Sequence, residues 1–297
     1  MQGAVASPAV QQGVRIPLAD PGLKARTPGE EFSWAVRGVA PGEDRAVPFR
    51  AHLPAAFPLF ATRPRYAVRH LLKTATVPDR TVPYVYEPPR AAVNASGTSY
   101  ASTPEGAFAS SLRGAELTDL TVSVPLPEGL LDEPTLLATF VDYRVLVRLS
   151  VVENESLLHG SADGAVPGLL TVPGIRHGSL GDDLADSLTS AAAEVEETGG
   201  SCDGIVVHPA TYWQLAKAGT LGLLGGVGIT VSRTRMIPRD RALLGDFRAA
   251  ATLLVPEVAS IALRRGAGPD GGDLVEASTR VGLAVHLPQH FLLLSRD

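Results

Sequence analysis

Residues 132–159 carry the strongest periodic pattern of the chain, with apolar positions recurring at helical spacing. Asp132 is the expected N-cap of this helix, and Gly160 is typical of a residue that ends one. Asp142, Arg144 and Arg148 fall on the opposite, polar face. A helix of this span would be about 40 Å long, so we call it the spine helix and expect other elements to pack along it. Its apolar positions are Leu136, Leu137, Phe140, Tyr143, Leu146, Val147 and Val151.

The rest of the C-terminal two thirds mixes strands and helices without regular alternation. Residues 116–125 alternate apolar and polar side chains, which predicts a strand. Residues 180–198 and 209–217 favour helices, whereas the glycines of 218–228 favour a loop. This order predicts an α+β fold rather than a series of βαβ units. Further strands are expected at 202–208, 229–232, 242–247, 252–255, 260–263 and 282–287.

Two segments lack an apolar pattern sufficient for a core of their own. Residues 1–48 are rich in Pro, Gly and Ala, which indicates either a disordered tail or an arm ordered on a neighbouring subunit. Within this arm, Phe32, Trp34 and Val36 alternate and predict a short strand. Residues 74–109 are typical of a long β-hairpin or extended loop, which usually serves function or a partner surface.

Composition narrows the class of protein. The chain has 297 residues, 45% of them hydrophobic, which is enough for a buried core. A net charge of −5 argues against a free nucleic-acid-binding protein. The single cysteine, Cys202, excludes an intramolecular disulfide framework. Neither a secretory signal nor an apolar run of membrane-spanning length is present, so we expect no membrane partner.

A search for catalytic chemistry finds no convincing constellation. His286 and His290 are four residues apart, but Pro288 between them speaks against a helical metal site. The glycines of 222–228 resemble a phosphate loop but lack the Lys-Ser/Thr ending. Cys202 lies beside a carboxylate, which disfavours a reactive thiolate. We therefore predict no catalytic, metal-binding or cofactor-binding residues.

Several short motifs resemble, in shared order, the tailed-phage major capsid proteins of the Hong Kong 97 type. Each motif is weak alone, but together they span roughly residue 49 to the C-terminus. The motifs are Val82-Pro83-Tyr84-Val85-Tyr86-Glu87, Asn94-Ala95-Ser96, Leu131-Asp132-Glu133-Pro134, Val152-Glu153-Asn154-Glu155-Ser156-Leu157-Leu158-His159-Gly160, Pro167-Gly168-Leu169-Leu170, Val206-Val207-His208-Pro209-Ala210-Thr211-Tyr212-Trp213, Leu243-Leu244-Gly245-Asp246-Phe247 and Val285-His286-Leu287-Pro288.

The resemblance implies an α+β Hong Kong 97-type capsid fold with five parts. They are an N-terminal arm (1–48), a peripheral domain (49–75 and 110–165) containing the spine helix (132–159), an extended loop (76–109), an axial domain (166–280) and a terminal strand (281–297) that returns to the peripheral domain. The extended loop contains no lysine, so the Lys–Asn crosslink known from some such capsids is not expected in this loop.

The resemblance also implies three kinds of surface residue. Subunit-interface residues are expected at Arg80, Tyr84, Glu87 and Arg90. Residues of a pore loop near a symmetry axis are expected at Lys217, Gly219, Leu221, Gly225 and Gly226. Cargo or arm docking is expected at Phe32 and Trp34.

The resemblance leaves two kinds of protein with this fold as alternatives. Phage subunits often carry a long N-terminal scaffolding region, whereas about 48 residues precede the fold here. This favours an encapsulin, a bacterial cytoplasmic nanocompartment whose many identical subunits form an icosahedral shell around a cargo enzyme. The alternative is a tailed-phage or prophage capsid protein that encloses DNA. A soluble hydrolase using His208 or Cys202 is a third hypothesis, and a DNA-binding protein conflicts with the charge.

Overall fold

The computed structural model describes residues 26–50, 68–78, 81–88 and 110–296. Its helices are α1 (Pro28–Ala35), α2 (Pro134–Phe140), α3 (Leu146–His159), α4 (Leu184–Glu197), α5 (Pro209–Lys217), α6 (Thr220–Gly226) and α7 (Phe247–Ala250). Its strands are β1 (Arg45–Arg50), β2 (Lys73–Thr76), β3 (Val82–Tyr86), β4 (Ser111–Ala115), β5 (Thr118–Pro125), β6 (Arg176–Ser179), β7 (Gly204–Val207), β8 (Thr230–Arg233), β9 (Arg241–Gly245), β10 (Ala251–Val255), β11 (Val258–Arg264), β12 (Leu274–Val285) and β13 (Phe291–Ser295).

The larger sheet is organised around the long strand β12. Its order is β1-β11-β12-β10-β2, and β5 also pairs with β12. The first half of β12 lies between β11 and β5, both antiparallel to it, and its last four residues pair with β10. The alternating burial of β5 confirms the strand predicted from the period-two pattern of 116–125.

The smaller sheet has the order β6-β13-β9-β7-β8 and separates two hydrophobic cores. Val206, Leu243 and Leu293 point from one face into the large core that also holds the spine helix. The alternate residues Ile205, Leu244 and others point into a second core beneath α4 and α5. Strand β7 is therefore buried on both faces, which explains why its sequence is a continuous apolar run rather than an alternating one.

The spine helix exists, but its first half differs in detail from the prediction. Asp132 is not its N-cap, because it ends a separate 3₁₀ turn over Leu130–Asp132, and α2 begins at Pro134. A π-helical turn, Val141–Val145, joins α2 to α3. Gly160, with φ of 92°, ends the helix as expected.

The prediction of a strand at Phe32, Trp34 and Val36 is wrong, because these residues belong to α1 and its C-cap. Thr27 and Glu30 form a reciprocal capping box, with Pro28 in the first turn. Phe32 and Val36 are four residues apart, so the spacing that mimics a strand also places both on one helical face. Both side chains are buried in the large core.

The prediction of a loop over 218–228 is also wrong, because α6 occupies most of it. Gly219 has φ of 77° and begins the helix, and Gly228 with φ of 89° follows its end. Leu224 is buried in the second core, which offsets the poor helix propensity of glycine.

The terminal segment 281–297 contributes to both sheets. The end of β12 lies in the larger sheet, whereas β13 lies between β6 and β9 in the smaller one. A 3₁₀ turn over Pro288–His290 makes the crossing. None of the helices in the described residues is long and apolar enough to cross a lipid bilayer.

Candidate assembly and docking surfaces

The two residues considered for catalysis have structural settings in the fold: His208 caps a helix, and Cys202 is buried. The imidazole Nδ1 of His208 accepts a hydrogen bond from the Ala210 backbone N–H at 3.1 Å and so caps α5. The Cys202 thiol is buried, and this burial raises its pKa to about 12. Within the described ranges, no three His, Cys, Asp or Glu side chains gather as metal ligands would.

Two carboxylates near Cys202 cap the short helix α7. Asp203 accepts hydrogen bonds from the backbone N–H groups of Phe247 and Arg248. Asp246 accepts one from the backbone N–H of Ala249 at 2.9 Å. Burial raises the pKa of the Asp203 carboxyl. The Gly-Asp-Phe motif thus marks a strand end and a helix start, and its carboxylate, Asp246, is engaged there together with that of Asp203.

The β3/β4 hairpin is held to the body by His286. The Nδ1–H of His286 donates to the carbonyl of Val85 at 3.0 Å, since a carbonyl can only accept. Its Nε2 then accepts from the Thr252 hydroxyl at 3.0 Å. The Tyr84 ring meets the imidazole edge to face, with centroids 5.4 Å apart. Tyr84, an expected interface residue, therefore faces its own subunit.

The exposed face of this hairpin carries two apolar residues. Val85 and Leu112 lie directly opposite each other across the ladder and are 53% and 76% exposed. The pairing of these two positions is the feature that could have identified them from the sequence. The segment 89–109 between the strands obscured the register. Glu87 is half-buried beside the hairpin, and its backbone N–H donates to the His286 carbonyl. Arg80 and Arg90 lie outside the described residues.

The expected pore-loop residues lie in α6 or just before it, and they do not all face outward. Lys217, Gly219, Gly225 and Gly226 are exposed. Leu221 instead packs against the second core. The exposed apolar side chains here are Leu223 (73%) and Val227 (75%). Neither side chain could be assigned to an exposed face from the sequence, because a predicted loop has no periodicity from which a face could be read.

An open groove lies between α1 and the spine helix, with a volume of about 850 Å³. Trp34, Tyr143 and Pro134 provide its apolar walls, while Arg26 and Glu30 are among its polar ones. We call it the α1 groove. Trp34 is 60% exposed, whereas Phe32 is fully buried and anchors α1 from beneath. Of the two expected docking residues, Trp34 is therefore exposed in the groove and Phe32 is buried beneath it.

A buried carboxylate holds α1 in place. Asp142, which falls on the polar face of the predicted helix, lies in the π-helical turn and is 4% exposed. It accepts hydrogen bonds from the Thr27 hydroxyl at 2.5 Å and from the Gly29 N–H at 2.8 Å. An anion at this helix N-terminus is also favoured by the helix dipole. Asp142 is thus buried despite its place on the polar face, because α1 covers it.

Two polar residues near the end of the spine helix, Glu153 and Asn154, bind residues 68–69 of a preceding segment. Arg69 forms a two-pronged ion pair with the buried carboxylate of Glu153. The side-chain oxygen of Asn154 accepts a hydrogen bond from the Val68 backbone N–H at 3.0 Å. These polar residues inside an apolar helix are thus paired, as buried charges and amides require. They fix the turn that precedes β2.

Comparison with known proteins identifies the fold. No protein-family model matches the chain, and no curated protein matches it. A virus-like particle from Pyrococcus furiosus has a similar structure, with a TM-score of 0.53, 16% identity, and coverage of 77% of this chain and 92% of that one. The capsid of a native GTA particle matches with a TM-score of 0.54, 17% identity, and coverage of 79% and 91%. Mycobacterium phage Ogopogo matches with a TM-score of 0.57, 15% identity, and coverage of 77% and 91%.

The two sheets, the spine helix and these matches define the Hong Kong 97-type capsid fold, an α+β architecture. The chain has this fold over most of its length, as the order of its motifs predicted. Since the identities are only 14% to 17%, the likeness is one of architecture.

Proposed function

We propose that the chain is a shell subunit that assembles with copies of itself into a closed icosahedral particle. The supporting observation is the distribution of exposed apolar side chains over separate elements. Val85 and Leu112 lie on the hairpin, Leu223 and Val227 on or beside α6, and Leu136 on the spine helix. Two of these sites are pairs of neighbouring apolar side chains, Val85 with Leu112 and Leu223 with Val227, and a closed symmetric assembly would bury such pairs repeatedly. The fold, shared with capsids and a virus-like particle, supports the same proposal.

Electron microscopy of the protein expressed alone tests assembly. We expect uniform closed particles, with a mass by light scattering that is a large multiple of 31.0 kDa. A uniform monomer at high protein concentration would contradict the proposal.

We further propose that the particle is an encapsulin of the bacterial cytoplasm, which encloses a cargo enzyme. The α1 groove supports this proposal, because it offers an apolar docking site that the described residues leave open. Its Trp34 side chain is exposed and held by its helix, so a cargo segment with an apolar side chain could pack against it. Phe32 supports the groove from below and does not itself meet cargo.

A phage capsid enclosing DNA is the second candidate, and the structural matches include phage capsids. The contents of purified particles separate the two. Nuclease-resistant DNA inside particles, or neighbouring genes for a portal and a protease, would favour the phage reading. A neighbouring enzyme gene whose product copurifies inside the particles through one segment would favour the compartment.

We also propose that α6 lies near a symmetry axis and borders an opening in the shell. An added side chain at Gly225 would meet no atom of its own subunit within 4 Å. We therefore expect Gly225→Asp to leave the subunit folded and to alter small-molecule entry into assembled particles. If this variant fails to assemble, Gly225 is instead at a close contact between subunits.

A further inference from the structure

The α1 groove opens beside the point where the N-terminal chain joins α1. Arg26 is the first described residue, and it lines the groove with its guanidinium 5.5 Å from the centre of the Trp34 ring. The 25 preceding residues therefore end at the groove itself. Any apolar part of them is held close to it by the chain, at an effective concentration on the order of millimolar.

One short stretch of those residues has an apolar pattern that suits a groove. Val14, Ile16 and Leu18 alternate with Arg15 and Pro17. Since a residue before proline favours an extended conformation, this pattern predicts an extended segment with three apolar side chains on one face.

The sequence between this stretch and the groove favours a chain reversal. Asp20-Pro21-Gly22 is a combination typical of tight turns. Ile16 lies five residues before Pro21, and Arg26 lies five residues after it. A reversal at Pro21 would therefore return Ile16 level with Arg26, at the mouth of the groove.

We propose that residues 14–18 of the chain occupy its own α1 groove and pack against Trp34 and Tyr143. This docking does not depend on assembly. Its consequence for loading rests on the proposed function: the segment would compete with cargo for the groove, and cargo would bind only by displacing it.

Tryptophan fluorescence tests the docking directly. The chain has two tryptophans, so Trp213→Phe leaves Trp34 as the only reporter. In this background, deletion of residues 2–18 should shift the Trp34 emission to longer wavelength and remove protection from acrylamide. A synthetic peptide of residues 10–20 should restore both when added to the deleted protein.

Substitutions provide matched controls in the full chain. Ile16→Asp with Leu18→Asp should reproduce the deletion, whereas Val5→Asp with Val10→Asp, upstream of the stretch, should behave like the unchanged chain. Equal quenching of Trp34 in the full and deleted chains, at the same assembly state, would overturn the inference. A failure to form particles would instead overturn the proposed shell and leave the docking result standing.

Discussion

At the scale of single residues, His290 is a buried titratable group that belongs to none of the surfaces described above. It is 8% exposed, and its Nδ1 has no hydrogen-bond partner among the described residues. An added Cβ at Gly200 would lie 2.9 Å from that nitrogen, so no space remains beside it. The charged groups that face the imidazole are Asp246, Arg176 and Glu87. Burial lowers the pKa of His290, and the Arg176 charge acts in the same direction.

This environment predicts that stability falls in mild acid. The ordinary imidazole pKa is 6.5, so below that pH the unfolded chain gains a proton that the folded chain still refuses. The free energy of unfolding should therefore decrease as the pH falls from 6.5 towards the lowered pKa. Urea unfolding midpoints between pH 8 and pH 5 measure this slope.

Two variants attribute the slope to His290. His290→Gln cannot titrate and should lessen the dependence, although His70, whose pKa burial also lowers, still contributes to it; the exposed His177→Gln should leave the dependence unchanged. An equal slope in all three proteins would contradict the role assigned to His290.

Cys202 should be unreactive in the folded protein. Its pKa of about 12 leaves almost no thiolate at pH 8, and its side chain is buried. A thiol reagent such as Ellman's reagent should therefore react only after denaturation. Rapid reaction of the native protein, or a hydrolase activity that Cys202→Ala removes, would revive the enzymatic alternative.

At the scale of elements, the contact of α1 with the spine helix depends on the absence of a side chain at Gly29. A Cβ there would lie 2.2 Å from the carbonyl oxygen of Ala138 and 2.8 Å from the Asp142 carboxylate. We expect Gly29→Ala to destabilise the protein by about 1–3 kcal/mol, because the backbone of one helix must move.

Gly222→Ala is the matched control, since it also lies in a helix but its Cβ would meet no atom within 4 Å. Alanine there should be neutral or stabilise by up to about 1 kcal/mol. Chemical unfolding followed by circular dichroism compares the variants under identical conditions. Equal stability of the two variants would show that α1 does not need the close approach.

Elements whose apolar spacing is regular over many residues could be predicted from the sequence. Elements that depend on short local motifs, or on contacts with distant segments, were harder to predict. The spine helix and the alternating strand β5 follow from apolar spacing alone. The capping box at Thr27 and Glu30 could have predicted helix α1, but the spacing of its apolar residues fits a strand as well as a helix. Helix α6 could not be predicted. Burial of Leu224 outweighs the poor helix propensity of its glycines, and no local sequence pattern shows that Leu224 is buried.

The candidate surfaces were less predictable than the fold for a related reason. Exposure depends on what covers a side chain, and the cover often comes from a distant segment. Asp142 is buried by residues more than a hundred positions earlier. Tyr84 likewise turns towards His286, about two hundred positions later, and so leaves Val85 outward.

At the scale of the whole molecule, the apolar pair on the hairpin should govern association rather than folding. Leu112 is 76% exposed, so Leu112→Asp should change the free energy of unfolding of the subunit by no more than about 0.5 kcal/mol. It should nevertheless prevent particle formation, because a buried unpaired carboxylate is strongly unfavourable at an interface.

Thr121→Asp serves as the control, since it places the same charge at an exposed position of strand β5. Sedimentation velocity of the three proteins distinguishes particles from subunits. Normal particles from Leu112→Asp would place the hairpin outside the subunit contacts.

The position of β12 has a consequence for mechanical strength. All 12 of its residues take part in a ladder: residues 274–281 pair with β5, 274–278 also with β11, and 282–285 with β10. Because ladder hydrogen bonds lie perpendicular to the strands, tension along β12 would load many of them in shear at once. Rupture would then require the collective failure of these bonds instead of their successive unzipping. A subunit built in this way can carry tension through its interior without a covalent crosslink.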